Sequence, residues 1–272
     1  MYEAILVLLD GSSAAEIVLP YVEGIGANLG SEITLASVSD AHTTDVDHLY
    51  RSYLERVREE VQRKVRDYGG GQAKVFWKIL LGKPADEILS YADETNSSLI
   101  VMASRGSSGQ GPWLLGNIAA KVLMATTKPV LLVRAPASDA ALQEKRLVKR
   151  VLLPLDGSEV GETAIPCTAE LARALGAELV LLQAVQPVVI VESSEVDVSY
   201  PQPVADESRM ASVMAYLDGV GKTLKEKGTK TSRVVLIGTP ADQILDYTVA
   251  NAIDLIAMST HGQNRHRAVG FW

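Results

Sequence analysis

At 272 residues, with 47% hydrophobic residues and a net charge of −7, the chain is long enough for one large or two ordinary globular domains and too acidic for nucleic acid to be a main partner. A single cysteine, Cys167, excludes an internal disulfide and a cysteine-based zinc site, and it fits a reducing cytoplasm. The longest apolar stretch, residues 179–191, is broken by Gln183, Gln186 and Pro187 and falls short of the roughly 20 residues that cross a bilayer; the N-terminus lacks the basic region and long apolar run of a signal peptide.

Residues 4–9 form a continuous apolar run, as expected of a strand covered on both faces, and the run stops at Asp10-Gly11-Ser12. A helix is predicted to about Leu29, a second strand over 31–38, and a polar loop over 39–47 on the same edge as Asp10. Tyr50, Tyr53, Leu54, Val57, Val61 and Val65 then recur at three- and four-residue steps, the pattern of a long amphipathic helix that Gly69 to Gly71 end. A third strand, 75–81, runs into Gly82-Lys83-Pro84, where proline and then Asp86 and Glu87 mark a helix start. The apolar residues 99–103 predict a fourth strand. After it a loop containing Gly106, Gly109 and Gly111 leads to a helix from Asn117 to about Ala125, and 129–133 predict a fifth strand. Strands alternating with helices imply a parallel sheet with right-handed crossovers.

Residues 136–149, rich in alanine and charge, read as a linker, and from 150 the pattern begins again. Strand 150–155 ends at Asp156-Gly157-Ser158, a helix spans 159–176 with Cys167 as a core residue, and strand two covers 178–185. Prolines and acidic residues between Gln186 and Asp206 suggest an extended, exposed loop. A helix to Lys227, strand 233–237, a helix opening at Pro240 and strand 254–258 follow. The register therefore runs out before a second final helix and fifth strand. That leaves an open sheet edge to be covered by a neighbouring chain or by a continuation of a truncated one, which is the expectation here; an intact mass near 29.2 kDa would exclude truncation.

The recurrence is explicit. LLDGSS at 8–13 returns as PLDGSE at 154–159, GKPADEIL at 82–89 as GTPADQIL at 238–245, and LIVMASRG at 99–106 as LIAMSTHG at 255–262. The offset is 146 for the first pair (10 to 156) and 156 for the others (82 to 238, 106 to 262), so one ten-residue insertion lies inside the second copy. A glycine-rich loop leading into a helix N-terminus turns backbone donors towards one point and suits a phosphate. For one copy alone, an ordinary loop connection, with aspartate capping or turning, is the simpler reading; recurrence at matching places favours a ligand.

These residues resemble the universal stress protein family in a tandem two-domain form. Its nucleotide-binding members carry G-x2-G-x9-G-[ST] after the fourth strand and an aspartate at the end of the first. The match here is Ala103-x2-Gly106-x9-Gly116-Asn117, so the first glycine has become alanine and the final hydroxyl residue asparagine, which can still donate to a phosphate oxygen. Copy two supplies Ser259-x2-Gly262 and ends before the rest of the motif.

The resemblance implies an α/β fold of two doubly wound domains, 1–135 and 150–272, each a five-stranded parallel sheet of order 3-2-1-4-5, the second lacking its last helix and strand. It implies ATP, with or without Mg²⁺, as ligand: adenine near Asp10 and the backbone of Val38, and ribose and phosphates along Ala103, Ser104, Gly106, Gly116 and Asn117. The matching positions in copy two are Asp156, Ala184, Ser259, Thr260 and Gly262.

Arg105, His261, Arg265, His266 and Arg267 can neutralise phosphate but read first as solvated surface, and His42 and His48 lack a companion at metal-ligand spacing. Trp77 reads as packing; Trp113 reads as packing or as a cover for bound nucleotide. The chain has no G-x4-G-K-[ST], no H-E-x-x-H and no G-x-S-x-G, so catalysis lacks its parts. Three readings follow: a non-catalytic, cytoplasmic, ATP-binding stress or energy-state regulator acting through an unknown protein partner; a nucleotide-free interaction module; or a weak ATPase or adenylate-forming enzyme. Exposed fifth-strand edges suit pairing between the two domains and a homodimer.

Overall fold

The computed structural model describes residues 2–39, 44–69, 72–106, 115–134, 148–189, 203–204, 207–259 and 269–271. The chain divides into two compact units, the first running to Val148 and the second spanning Lys149–Met258. Most of the predicted linker, residues 136–147, lies outside the described residues. Among the described residues no helix is long and apolar enough to cross a membrane.

Unit 1 runs β1 (Ala4–Leu8), α1 (Ser13–Glu16), α2 (Leu19–Leu29), β2 (Glu32–Ser39), α3 (Thr44–Asp67), β3 (Lys74–Leu81), α4 (Pro84–Glu94), β4 (Leu99–Ala103), α5 (Asn117–Ala125) and β5 (Val130–Val133). β1 lies between β2 and β4, parallel to both, with Ile5 opposite Ile33 on one side and Leu99 on the other. β3 pairs with β2 and β5 with β4, which gives the order 3-2-1-4-5 that the resemblance implies. Alternate residues of the central strands serve opposite faces. Leu6, Leu8, Ile100 and Met102 pack with Ile88 of α4 and Val122 of α5. Leu54, Val57, Val61 and Val65, the predicted stripe of α3, are fully buried.

The predicted first helix is two helices in each copy. Pro20 falls in the first turn of α2, where its missing N–H costs nothing, and the chain turns between Glu16 and Leu19 to reach it.

Unit 2 repeats the plan with β6 (Arg150–Pro154), α6 (Glu159–Glu162), α7 (Ala164–Leu175), β7 (Glu178–Val185), β8 (Val188–Val189), β9 (Pro203–Val204), α8 (Glu207–Glu226), β10 (Lys230–Ile237), α9 (Pro240–Ala250) and β11 (Leu255–Ser259). Its strands are ordered β10-β7-β6-β11, all parallel, the counterpart of 3-2-1-4. Cys167 is buried in α7. The ends of the inserted segment form a short antiparallel ladder, with Val188 opposite Val204, where an extended loop is expected; residues 190–202 lie outside the described part. A final short strand, β12 (Val269–Phe271), lies parallel to β5 and groups with unit 1, a pairing that the sequence pattern does not announce.

The two copies differ in how well their fourth helix is covered. Ala85, Ile88 and Ala92 of α4 are buried beneath the α5 contact, whereas no residue of α9 is buried and its Leu245 and Val249 are 59% and 85% exposed.

Candidate functional site

The carboxyl ends of β1, β2 and β4 open onto a cavity of about 250 Å³, placed where a doubly wound sheet binds ligands because the connections diverge to opposite sides there. One part of its wall is apolar: Leu8, Val38, Pro84, Ile88 and Met102. Another is polar: Asp10, Ser104, Arg105, Gly106, Gly116 and Asn117. Every residue predicted for copy one, Asp10, Val38, Ala103, Ser104, Gly106, Gly116 and Asn117, lines this cavity.

The Asp10-Gly11-Ser12 turn builds one side. Gly11 takes φ +82°, a left-handed conformation that a side chain would strain, and Gly157 takes φ +76° at the same place in copy two. Oδ1 of Asp10 accepts from the Ser12 backbone N–H at 3.0 Å and from the Ser12 hydroxyl, while Ser12 Oγ accepts from Ala15 N–H at 3.2 Å and caps α1. Ser12, not Asp10, therefore caps α1, and the Asp10 carboxylate holds the turn while lining the cavity. Oδ2 of Asp10 lies so close to Gly106 that a Cβ there would come within 2.1 Å of it.

The loop after β4 builds the facing side. Ser104 N–H donates to Val133 O at 2.8 Å, prolonging the β4–β5 ladder, and Gly116 N–H donates to Ser104 O at 2.9 Å, which fixes where α5 begins. Gly116 is the N-cap of α5 and has no side-chain cap. The first-turn amides of Asn117, Ile118 and Ala119 have no partner inside the helix, and that end of the helix carries partial positive charge. Residues 107–114 of this loop, Trp113 among them, lie outside the described part.

In copy two, Asp156, Ala184 and Ser259 stand at or just past the ends of β6, β7 and β11, three adjacent strands. Asp156 Oδ1 accepts from Ser158 N–H at 3.0 Å and from the Ser158 hydroxyl at 2.6 Å, the Asp10 arrangement repeated. Thr260, Gly262, His261, Arg265, His266 and Arg267 lie outside the described residues, as does His42, while His48 is exposed on α3. Trp77 is half-buried with the Arg51 guanidinium 5.7 Å from its ring centroid.

Two groups beside the site escape a reading of the sequence. The apolar wall draws Pro84 and Ile88 from α4 and Met102 from β4, which no local motif announces. A glutamate six residues after each Asp-Gly-Ser aspartate stands beside a half-buried tyrosine of the long helix. Tyr216 donates to Glu162 Oε1 at 2.8 Å, whereas the buried Tyr53 hydroxyl lies near Glu16 without hydrogen-bond geometry to any described residue. Burial and then the neighbouring glutamate hold both phenols above the usual range. Glu16 also pairs with Arg56 at 3.2 Å, tying α1 to α3.

Set against known proteins, the chain matches the universal stress protein family twice, over residues 1–134 and 148–270. It is 30% identical over 150 residues to universal stress protein YxiE of Bacillus subtilis, covering 49% of this chain and 100% of that one. It is 26% identical over 155 residues to universal stress protein MJ0577 of Methanocaldococcus jannaschii, covering 49% of this chain and 96% of the relative. Among solved structures, a universal stress protein from Archaeoglobus fulgidus superposes with a TM-score of 0.64 at 22% identity, over 93% of this chain and 85% of that chain; this likeness concerns the fold alone.

Proposed function

The chain belongs to the universal stress protein family, and from that premise we propose that unit 1 binds an adenine nucleotide, with ATP and its Mg²⁺ complex among its ligands, and acts as a non-catalytic cytoplasmic regulator of stress or energy state. The observation that carries this reading is the convergence of Asp10, Val38, Gly106, Gly116 and Asn117 on one cavity. The cavity suits both ends of a nucleotide. Val38, Pro84, Ile88 and Met102 offer an apolar bed for a base, while the α5 N-terminus, Ser104, Asn117 and Arg105 offer donors to phosphate. Asp10 would present its carboxylate to a sugar hydroxyl or a base amine. A protein partner, or a second copy of the chain, would read the bound state.

Calorimetric titration of the full chain with ATP and Mg²⁺ tests the proposal. Saturable heat is expected, and Gly106→Val should abolish it, because the new side chain would drive into Asp10. Absence of both heat and thermal shift at millimolar nucleotide would leave the alternative, an interaction module of the same fold without nucleotide. Ala103 favours that alternative, since its methyl group occupies the wall where the family motif has glycine.

A further inference from the structure

We propose that the outer edge of β10 in unit 2 is a docking edge for an extended, acidic segment of a partner protein, which adds to the sheet as a further strand. β10 pairs with β7 on one side and with no described strand on the other. Gly238 N–H donates to Val185 O, so the even-numbered residues of this strand face β7, and the odd-numbered Thr231, Arg233 and Val235 turn their backbone N–H and C=O groups outward. Around that edge an acidic chain is locally basic. Residues 222–233 hold Lys222, Lys225, Lys227, Lys230 and Arg233 against Glu226 alone, whereas the matching residues 66–77 of unit 1 hold Arg66 and Lys74 against Asp67.

Unit 1 supplies the contrast, because there the same stretch of edge is closed. Gln62 of α3 donates through Nε2 to Ala73 O at 3.1 Å and accepts at Oε1 from Val75 N–H at 3.0 Å, which occupies the outward backbone groups where β3 begins. Its counterpart 156 residues on is Asp218, and that carboxylate pairs with the Arg233 guanidinium instead. Thr231 N–H, the counterpart of Val75 N–H, is left without a side-chain cap among the described residues. Beside it lies a hollow of about 310 Å³ lined by Leu181, Leu217, Gly221, Lys222, Lys225 and Thr231. Gly221 opens it, standing where unit 1 has the fully buried Val65; a Cβ at 221 would come within 3.6 Å of Leu181, an ordinary packing contact. Lys222 and Lys225 have no ion-pair partner among the described residues. A strand laid along β10 would take up the outward N–H and C=O groups, and an acidic side chain on its α8 side would enter the hollow between the two lysines. Main-chain pairing selects a peptide over a nucleic acid, which has no alternating donors and acceptors at strand spacing.

The test is calorimetry on the full chain with a blocked heptapeptide of alternating valine and glutamate, with its valine and lysine counterpart, and with a single-stranded oligothymidylate. The glutamate peptide should bind saturably, at least about tenfold more tightly than the lysine peptide, and less tightly as salt rises. Asp218→Gln, which gives unit 2 the clasp of unit 1, should weaken that binding at least about tenfold even though it removes a negative charge, and Gly221→Val should do so by filling the hollow. Both replacements are residues that unit 1 carries at these places, and an unchanged urea midpoint checks that unit 2 stays folded. Should either variant unfold, Lys222→Gln combined with Lys225→Gln decides: it should narrow the glutamate-to-lysine ratio, a readout that a general loss of affinity does not move. No binding of the glutamate peptide, equal binding of the two peptides, or undiminished binding to a folded Asp218→Gln chain would overturn strand addition. Tighter binding of the oligothymidylate would make the patch a nucleic-acid site, and a dimer in sedimentation that Asp218→Gln dissolves would give the edge to a second copy; either result overturns the proposal.

Discussion

Tyr53 and Tyr216 pose one question in two copies: what a tyrosine hydroxyl drawn out of water is worth with and without a partner. Tyr216 donates to Glu162 at 2.8 Å, and a hydrogen bond to a charged acceptor contributes roughly 1.5–3 kcal/mol. Tyr53 Oη is buried with no hydrogen-bond partner among the described residues, a desolvation cost that phenylalanine would remove. Tyr216→Phe should therefore lower the urea midpoint of unit 2, while Tyr53→Phe should leave unit 1 unchanged or raise its midpoint. A loss of similar size in both variants would show that Tyr53 is in fact satisfied by Glu16. Neither pairing is legible in the sequence. Tyr53 follows the apolar stripe of α3 and reads as packing, and Tyr216 stands two helical turns out of register with it, so the repeat that exposes Asp10 and Asp156 conceals these partners. The reverse holds for the cavity rim, where Asp10, Gly106 and Gly116 are visible because each answers to a backbone requirement, a turn, a close approach or a helix start, that few residue types meet.

At the scale of elements, α2 and α3 are joined through a carboxylate out of water. Glu23 is 3% exposed, with Lys64 Nζ at 3.3 Å from Oε1, and Lys64 also reaches Glu60 at 3.1 Å. Burial holds the Glu23 carboxyl above its usual range, the pull of Lys64 notwithstanding. The folded chain thus keeps this proton to higher pH than the unfolded chain does. Its contribution to stability is full below the unfolded value near 4.5 and is lost as the pH rises through the raised one. Glu23→Gln cannot ionise. Its urea midpoint should gain on that of the parent chain as the pH rises above the unfolded value near 4.5, and a difference that does not change with pH would mean that the Lys64 pair offsets the burial fully. Most elements here follow from periodicity and punctuation. Glycines and prolines mark helix ends, and unbroken apolar runs mark covered strands. What periodicity misses is the split of α1 from α2 and of α6 from α7: Ser12 and Pro20 each signal a helix start, and apolar residues running through both obscure the turn between them.

The whole chain carries one plan at two levels of burial, and that difference should be measurable segment by segment. Two domains follow from the repeat, because the motifs recur in order at two constant offsets, whereas the strand order is implied only by the family resemblance those motifs carry. The depth of each core follows from neither, because burial depends on what lies across from a helix and not on the helix's own sequence. GKPADEIL and GTPADQIL begin near-identical helices, yet α4 buries Ala85, Ile88 and Ala92 while α9 has no fully buried residue and packs only half-buried Ile244 and Tyr247 on its core. Hydrogen exchange read by mass spectrometry should therefore show amides of 240–250 exchanging well ahead of those of 84–94, since local opening costs least where few apolar groups are out of water. Saturating nucleotide should slow exchange in the segments that line the unit 1 cavity, around 8–16, 102–106 and 115–119. At a ligand concentration 100 times Kd, binding stabilises the liganded unit by about 2.7 kcal/mol, enough to separate the two copies clearly. The segment 154–162, which holds Asp156, should stay at its ligand-free rate. Equal slowing at Asp10 and Asp156 would assign the ligand to both copies, and exchange in α9 as slow as in α4 would mean that its apolar face is covered in solution.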